Sequence, residues 1–315
     1  MESLQIAVEV MLPLFLLMAV GYVVRLTGLL NESSAFQMNR VIFTVFLPAL
    51  VFENIYTIES DVLWYNFDSR ILIYSLVGVG LQFLIALCIA FLWEKENSRR
   101  GVMMQGMFYG NFVLFGLPVC NALFGEDAAG PASLLVAVIL PLYYILAVIA
   151  LELFRGGHPS FFRILGGIFT NPLILASIAG ILCLIFRIRL PYVLSVTVSN
   201  LASVAAPLAF VILGAAFSFR KIGDSVKSLC LTLGVKLLFF PVFFLLLAVL
   251  LGFRGASLAV LLAVFASPVA VSAFTMAQQM DGDEALAGQL VLFSSLLSVG
   301  TLFLFIFLLR QLSFI

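Results

Sequence analysis

The feature that most constrains this chain is a succession of apolar stretches, each long enough to cross a bilayer. A hydrocarbon core about 30 Å thick takes roughly 20 mostly apolar residues in a helix. Ten such stretches are readable, at roughly 4–24, 36–55, 70–93, 100–124, 131–154, 161–186, 191–214, 225–251, 256–279 and 285–310. No connection between them is long enough for a soluble domain. Composition agrees: 63% of the 315 residues are hydrophobic, 10% are charged and the mean hydropathy is +1.21. Soluble domains lie nearer half apolar and about a quarter charged. The expected class is an all-α integral membrane protein with ten transmembrane helices. The first stretch follows Glu2 rather than a basic leader and lacks a small-x-small cleavage site, so it reads as a retained helix.

Several function classes lose support at this level. The formal net charge is zero, so no broad basic field suggests nucleic acid. Cys88, Cys120, Cys183 and Cys230 lie in or beside apolar runs, with no CxxC or Cys/His spacing. They read as small buried hydrophobes rather than as metal ligands or disulfides. His158, the one histidine, sits in a short polar loop. No metal, cofactor or catalytic triad is expected, and the chain is not read as an enzyme.

Charge between the spans is asymmetric. Connections after spans one, three, five and seven hold Arg25, Arg40, Lys95, Arg99, Arg100, Arg155, Arg163, Arg220, Lys221 and Lys227. The opposite side holds Arg70, Arg187, Arg189, Arg254 and Arg310. The richer side is expected to be cytoplasmic, with both termini outside. Asp281, Asp283 and Glu284, after span nine, fall on the cytoplasmic side in this scheme.

The chain also resembles itself. Pro13 and Pro172, Gly21 and Gly180, and Pro48 and Pro207 are each separated by 159 residues. Pro118 and Pro268 are separated by 150, which a longer second loop in the first half, around 53–70, would explain. Two repeats are expected, residues 1–155 and 156–315. Five spans is an odd number, so the copies must sit inverted in the membrane, as in many secondary transporters.

Spans four and nine carry the strongest helix breakers. Span four contains Gly110-Asn111-Phe112-Val113-Leu114-Phe115-Gly116-Leu117-Pro118, and span nine contains Ala266-Ser267-Pro268-Val269-Ala270. Proline removes a backbone donor and clashes with the preceding turn. In hydrocarbon the freed backbone groups survive only where they are buried in protein or line a wet cavity. Corresponding broken helices point to a midplane site, and their exposed N–H groups suit a carboxylate. Asn111, Asn121, Ser267 and Ser272 flank the breaks. Ordinary proline kinks joined by Asn and Ser hydrogen bonds are the plainer reading. Pro13, Pro48, Pro172 and Pro207 look more like kinks or helix starts.

Lys236 falls near the middle of span eight. A charge at that depth is a candidate partner for a substrate carboxylate or a stand-in for a coupling cation; the alternative is a lysine snorkelling to the interface. Glu9 and Glu152 lie nearer span ends, and no deep acidic pair is visible. Tyr143 and Tyr144, after Pro141, either line a cavity or simply pack.

The residues Asn111 through Pro118, Asn171-Pro172-Leu173, Pro207-Leu208-Ala209 with Gly214, and Ser267-Pro268 followed by Ala277 resemble the auxin efflux carrier family. Ser294-Ser295-Leu296-Leu297-Ser298 and Thr301 fit its last helix. That family includes plant PIN-type carriers and bacterial malate or malonate permeases. The chain looks like a bacterial member of the inner membrane, without the long central loop of many plant members. The resemblance implies two inverted five-helix repeats similar to bile-acid and sodium/proton transporters. Helices four and nine would cross at their breaks, with Asn111, Gly116, Pro118, Asn121, Ser267 and Pro268 near the substrate. Val113 departs from the glycine often found there. The implied function is alternating-access transport of small organic anions, with a homodimer left open and with H+ coupling, Na+ coupling and uniport driven by membrane potential all open. Competing readings are a cation/proton antiporter of the same fold, an intramembrane enzyme, or a membrane protein without transport. The first needs a deep Asp or Glu, and the second needs clustered reactive side chains.

Overall fold

In a computed structural model of the chain, residues 2–58, 69–156, 161–217, 223 and 225–315 are described. His158 and the loop at 59–68 lie outside them, as do Arg220 and Lys221. The described residues are helical apart from turns, loops and one isolated bridged pair, Gly110 and Val269. In chain order the helices are α1 (Glu2–Leu26), α2 (Glu32–Tyr56), α3 (Ser69–Trp93), α4 (Asn97–Phe108), α5 (Phe112–Phe124), α6 (Ala129–Phe154) and α7 (Phe161–Thr170). There follow α8 (Pro172–Ile185), α9 (Tyr192–Ala216), α10 (Val226–Leu250), α11 (Gly255–Ala266), α12 (Val271–Gln279) and α13 (Glu284–Gln311). Among the described residues, six of these are long and apolar enough to cross a membrane: α2, α3, α6, α9, α10 and α13. The number becomes seven if α7 and α8, bent by 56° at Asn171, form one span.

Local chemistry sets several helix boundaries. Asn31 caps α2 by accepting from the Ser34 N–H at 2.8 Å. Asn171 caps α8 by accepting from the Leu173 and Ile174 amides, with Pro172 in the first turn. Pro172 is therefore a helix start, and Pro13 and Pro207 lie inside α1 and α9. Three other prolines share one device. A five-residue π-helical segment ends two residues before Pro48, Pro118 and Pro241 alike, at Ile42–Phe46, Phe112–Gly116 and Val235–Phe239. A proline leaves a carbonyl without its amide and crowds the turn before it. The wider turn accommodates that misfit without ending the helix.

Two packing groups emerge. Helix α1 lies along α9, and α2 packs on α8 and α9. The other group joins α3, α4, α6 and α10 to α13, with α4 in contact with α3, α6, α10 and α13. Close backbone approach holds the first group. A Cβ on Gly21 would collide with the Val211 carbonyl oxygen, and one on Gly214 with that of Met18. Likewise a Cβ on Gly180 would stand 3.3 Å from the Phe52 carbonyl oxygen. Gly21 and Gly180 are 159 residues apart, and so are Phe52 and Val211. The α1–α9 contact therefore has a counterpart in α8–α2 at the same chain offset. Large apolar side chains such as Leu16, Leu182, Tyr192 and Leu246 face outward, as suits helices bathed in lipid.

One end of the bundle is rich in paired charge. Arg99 meets Asp283 at 3.0 Å, and Arg155 meets Asp281 at 2.8 Å and Glu152 at 2.9 Å. Arg25 donates to the Ala215 carbonyl and reaches Glu32 at 3.4 Å. Loops placed on one side from sequence thus gather at one end. Burial works to raise the Glu94 carboxyl. Bonds from the Ser228 hydroxyl and the Lys95 and Glu96 amides outweigh it and hold the group below its ordinary range. At the opposite end Arg70 donates to the Leu251 carbonyl, and Arg254 stacks on Phe314. Among the described residues the four cysteines are free, and only Cys120 is buried; Cys88 and Cys230 face outward, contrary to their expected burial.

The glycine contacts set a prediction. Gly21→Val should destabilise the detergent-solubilised protein by about 1–3 kcal/mol through overpacking. Gly80→Ala, with open space around its Cβ, should leave the unfolding temperature unchanged or slightly raised. Thermal unfolding of both variants checks this.

Candidate crossover site

The interior of the second group is built where two helices stop. Pro268 bars its neighbour Ser267 from helical backbone, and Ser267 is extended at φ −64°, ψ 148°. Helix α11 ends there, and α12 begins after Ala270. In the other interrupted helix, Tyr109 is extended and Asn111 sits at φ −84°, ψ 61°. The two extended segments run antiparallel. The Asn111 N–H donates to the Pro268 carbonyl at 2.7 Å, and the Ala270 N–H donates to the Tyr109 carbonyl at 3.4 Å. Asn111 and Ala270 are 159 residues apart, as are Tyr109 and Pro268. Each hydrogen bond is thus the counterpart of the other, at the same offset as the glycine contacts.

This pairing corrects the sequence-based account of the breaks. Span four breaks at Tyr109–Asn111 rather than around Pro118, which lies half-buried in α5 beyond its π segment. Pro118 and Pro268 are not counterparts, since the breaks correspond at 159 residues and not 150.

The remaining backbone groups at the crossing find specific partners. Ser294 Oγ accepts from the Val269 N–H at 3.0 Å. The Tyr143 hydroxyl donates to the Val264 carbonyl at 3.2 Å. Lys236 Nζ donates to the Phe108 carbonyl, at the end of α4, at 3.2 Å. Lys236 is fully buried, and among the described residues it forms no ion pair. Its burial inside the protein excludes snorkelling. Tyr109 shares a 2.6 Å hydrogen bond with Ser272 and packs its ring against Tyr143 and Tyr144 at 5.6 and 5.9 Å. Gly110 makes room for this: a Cβ there would clash with Ser267 Oγ and stand 3.1 Å from Lys236 Nζ.

Most of the expected site residues come together. Asn111, Ser267, Pro268 and Ser272 are buried at the crossing, with Lys236 and Tyr143 beside it. Among the described residues the Asn111 side chain makes no capping hydrogen bond, and Ser267 Oγ is buried without a partner. Gly116 lies one turn into α5, where a Cβ would press on Ala263 of α11 at 2.8 Å. It permits close helix packing rather than lining the crossing. Asn121 is exposed, near the far end of α5. The structure does not bring it to the crossing. Sequence reasoning missed Tyr109 and Ser294, together with the buried Gln82, Gln105 and Thr275, which carry unpartnered polar atoms. Their signal was a polar group inside an apolar span.

The arrangement presents two helix N-termini, those of α5 and α12, inside the protein. The first amides of a helix lie outside its own hydrogen-bond ladder and carry partial positive charge. Such ends bind anions. Removing the Ser294 hydroxyl orphans the buried Val269 N–H, so Ser294→Ala should cost about 1–3 kcal/mol. Ser298→Ala, whose hydroxyl bonds back to its own helix, should cost less. Chemical unfolding of both variants measures the difference.

Comparison with known proteins places the chain among membrane transporters. The family model described as membrane transport protein matches residues 6–161 and 160–306. An uncharacterized transporter of Methanothermobacter thermautotrophicus is 26% identical over 300 residues, covering 93% of this chain and 95% of that protein. A proposed malonate transporter of Rhizobium meliloti is 27% identical over 315 residues, covering 95% of each. An uncharacterized transporter of Methanocaldococcus jannaschii is 24% identical over 219 residues, covering 68% of this chain and 70% of that protein. With helices fit to cross a membrane and a family match over most of its length, the chain is an integral membrane protein of the membrane transport protein family, the auxin efflux carriers.

Proposed function

We propose that the protein is a secondary carrier of small organic anions that works by alternating access around the crossover. The observation that supports this most is the exchanged pair of backbone hydrogen bonds, Asn111 to Pro268 and Ala270 to Tyr109. It brings the N-termini of α5 and α12 together inside the protein, where a carboxylate finds unused N–H donors. A malonate-type substrate fits the name of one relative.

In this reading the chain crosses the membrane ten times. The six long helices are joined by α1, the bent pair α7–α8, and the interrupted pairs α4–α5 and α11–α12. Residues 1–155 and 156–315 form two repeats of five crossings in opposite orientation, supported by the contacts recurring at 159 residues. The charged end is cytoplasmic and both termini are outside, in the inner membrane of a bacterium. The group holding the crossover moves against α1, α2 and α7–α9. A cavity of about 260 Å³ lies at the seam between the two groups, at the charged end. Arg25, Asn31 and Glu32 line it from one group, and Gln278 and Glu284 from the other. Asn39 of α2 donates to Gln278 of α12 across the same seam at 2.6 Å.

The cation/proton antiporter reading needs a deep carboxylate. Among the described residues the buried carboxylate is Glu152, which lies at the charged end and pairs with Arg155. Proteoliposomes containing the purified protein should accumulate labelled malonate, malate or indole-3-acetate under one imposed proton, sodium or voltage gradient. Asn111→Ala should lower that uptake about tenfold, as expected for one lost hydrogen bond. Sodium or proton exchange with no anion flux would establish the antiporter instead.

A further inference from the structure

Helix ends come in opposite charges, and the crossing gathers both kinds. The first amides of α5 and α12 attract anions, while the last carbonyls of α4 and α11 attract cations. In carriers built on broken helices, the carbonyl ends serve coupling cations. Here a side chain already stands at those ends. Lys236 Nζ donates to the Phe108 carbonyl, which terminates α4. The Val264 carbonyl, near the end of α11, lies 3.5 Å from the same Gly110 Cβ point that is 3.1 Å from Nζ. An ammonium has three donors, and one is taken by Phe108. Ser267 Oγ, buried and without a partner, also borders Gly110. A charge this deep is strongly disfavoured unless something neutralises it, and no carboxylate of the described residues does so.

We infer that Lys236 is the resident cation of the crossover: its ammonium takes the place of a coupling metal ion and, with Ser267, completes the seat for a substrate carboxylate. This rests on the carrier reading and deepens it. Two consequences follow from the chemistry. Anion transport does not require sodium, because the carbonyl ends are already served. The substrate supplies the negative charge that Lys236 lacks, so loading and charge neutralisation are one event.

The test uses full-length protein in proteoliposomes with labelled malonate at constant ionic strength. Replacing sodium by N-methyl-D-glucamine on both sides should leave wild-type uptake unchanged. Lys236→Met should lower uptake by about tenfold to a hundredfold, the range for a lost charged hydrogen-bond partner. Its unfolding temperature should stay equal or rise, because an apolar side chain of similar length removes an unpaired buried charge. Lys236→Arg should keep part of the uptake, and Ser267→Ala should raise KM more than it lowers the maximal rate. Wild-type uptake that needs sodium, or Lys236→Met uptake with an unchanged KM and rate, would overturn the inference while leaving the carrier reading intact. No uptake of any carboxylate by wild type would overturn both. If Lys236→Met does not fold, the arginine and Ser267 variants decide. Loss of all uptake in a folded Lys236→Arg protein, with Ser267→Ala unaffected, would assign Lys236 a structural role only.

Discussion

A peptide group in hydrocarbon has no water to turn to, and this constraint governs the molecule. Along most of the chain, continuous helices satisfy it. At Tyr109–Asn111 and Ser267–Ala270 the helices stop, and the freed groups must be met by something else. Two of them meet each other across an antiparallel pair, and Ser294, Tyr143 and Lys236 meet three more. The surrounding helices α3, α6, α10 and α13 supply those side chains or close over the crossing. Among the described residues the Ser267 hydroxyl has no partner and Lys236 spends one donor on Phe108, while the first amides of α5 and α12 lie outside the ladders of their own helices. The proposed anion site is this remainder of the hydrogen-bond accounting.

Two kinds of packing divide the structure. In the first group, α1 against α9 and α2 against α8, backbones touch through Gly21, Gly214 and Gly180. Small residues let helices approach in this way where lipid offers no hydrophobic drive. Around the crossover the contacts are aromatic and polar, with the Tyr109 ring edge to face against Tyr143 and Tyr144 and its hydroxyl on Ser272. The seam between the groups holds the cavity of about 260 Å³ at the charged end and the Asn39–Gln278 hydrogen bond.

Much of this was legible in the residues. Among the described residues, apolar length located six helices fit to span, because the bilayer imposes it directly; the other four expected spans fall on α1, the bent pair α7–α8 and the interrupted pairs α4–α5 and α11–α12. Pro268 identified one break to within a residue, since proline acts on its own neighbours. The other break was placed wrongly. Pro118 looks like its cause, yet the chain absorbs Pro118 in a π-helical turn, as it does Pro48 and Pro241. The break falls at Gly110, the first residue of the run to Pro118, and the crowding of Ser267 and Lys236 around that glycine is a tertiary fact that its sequence neighbours do not show. The 159-residue offset was visible at Gly21 and Gly180, but their equivalence of contact was not. Asn121 carried the right chemistry on the wrong part of α5. Lys236 stood out by its depth alone, while its place at the end of α4 depended on how α10 packs.

The central claim is that a carboxylate binds where the two interrupted helices cross. An experimental density map of the lipid-reconstituted protein with bound malonate tests it most directly. The account predicts a carboxylate within hydrogen-bonding distance of the leading amides of α5 or α12, with Lys236 Nζ on its other side. Malonate density confined to the Arg25–Glu284 cavity, with the crossing unchanged and empty, would contradict it.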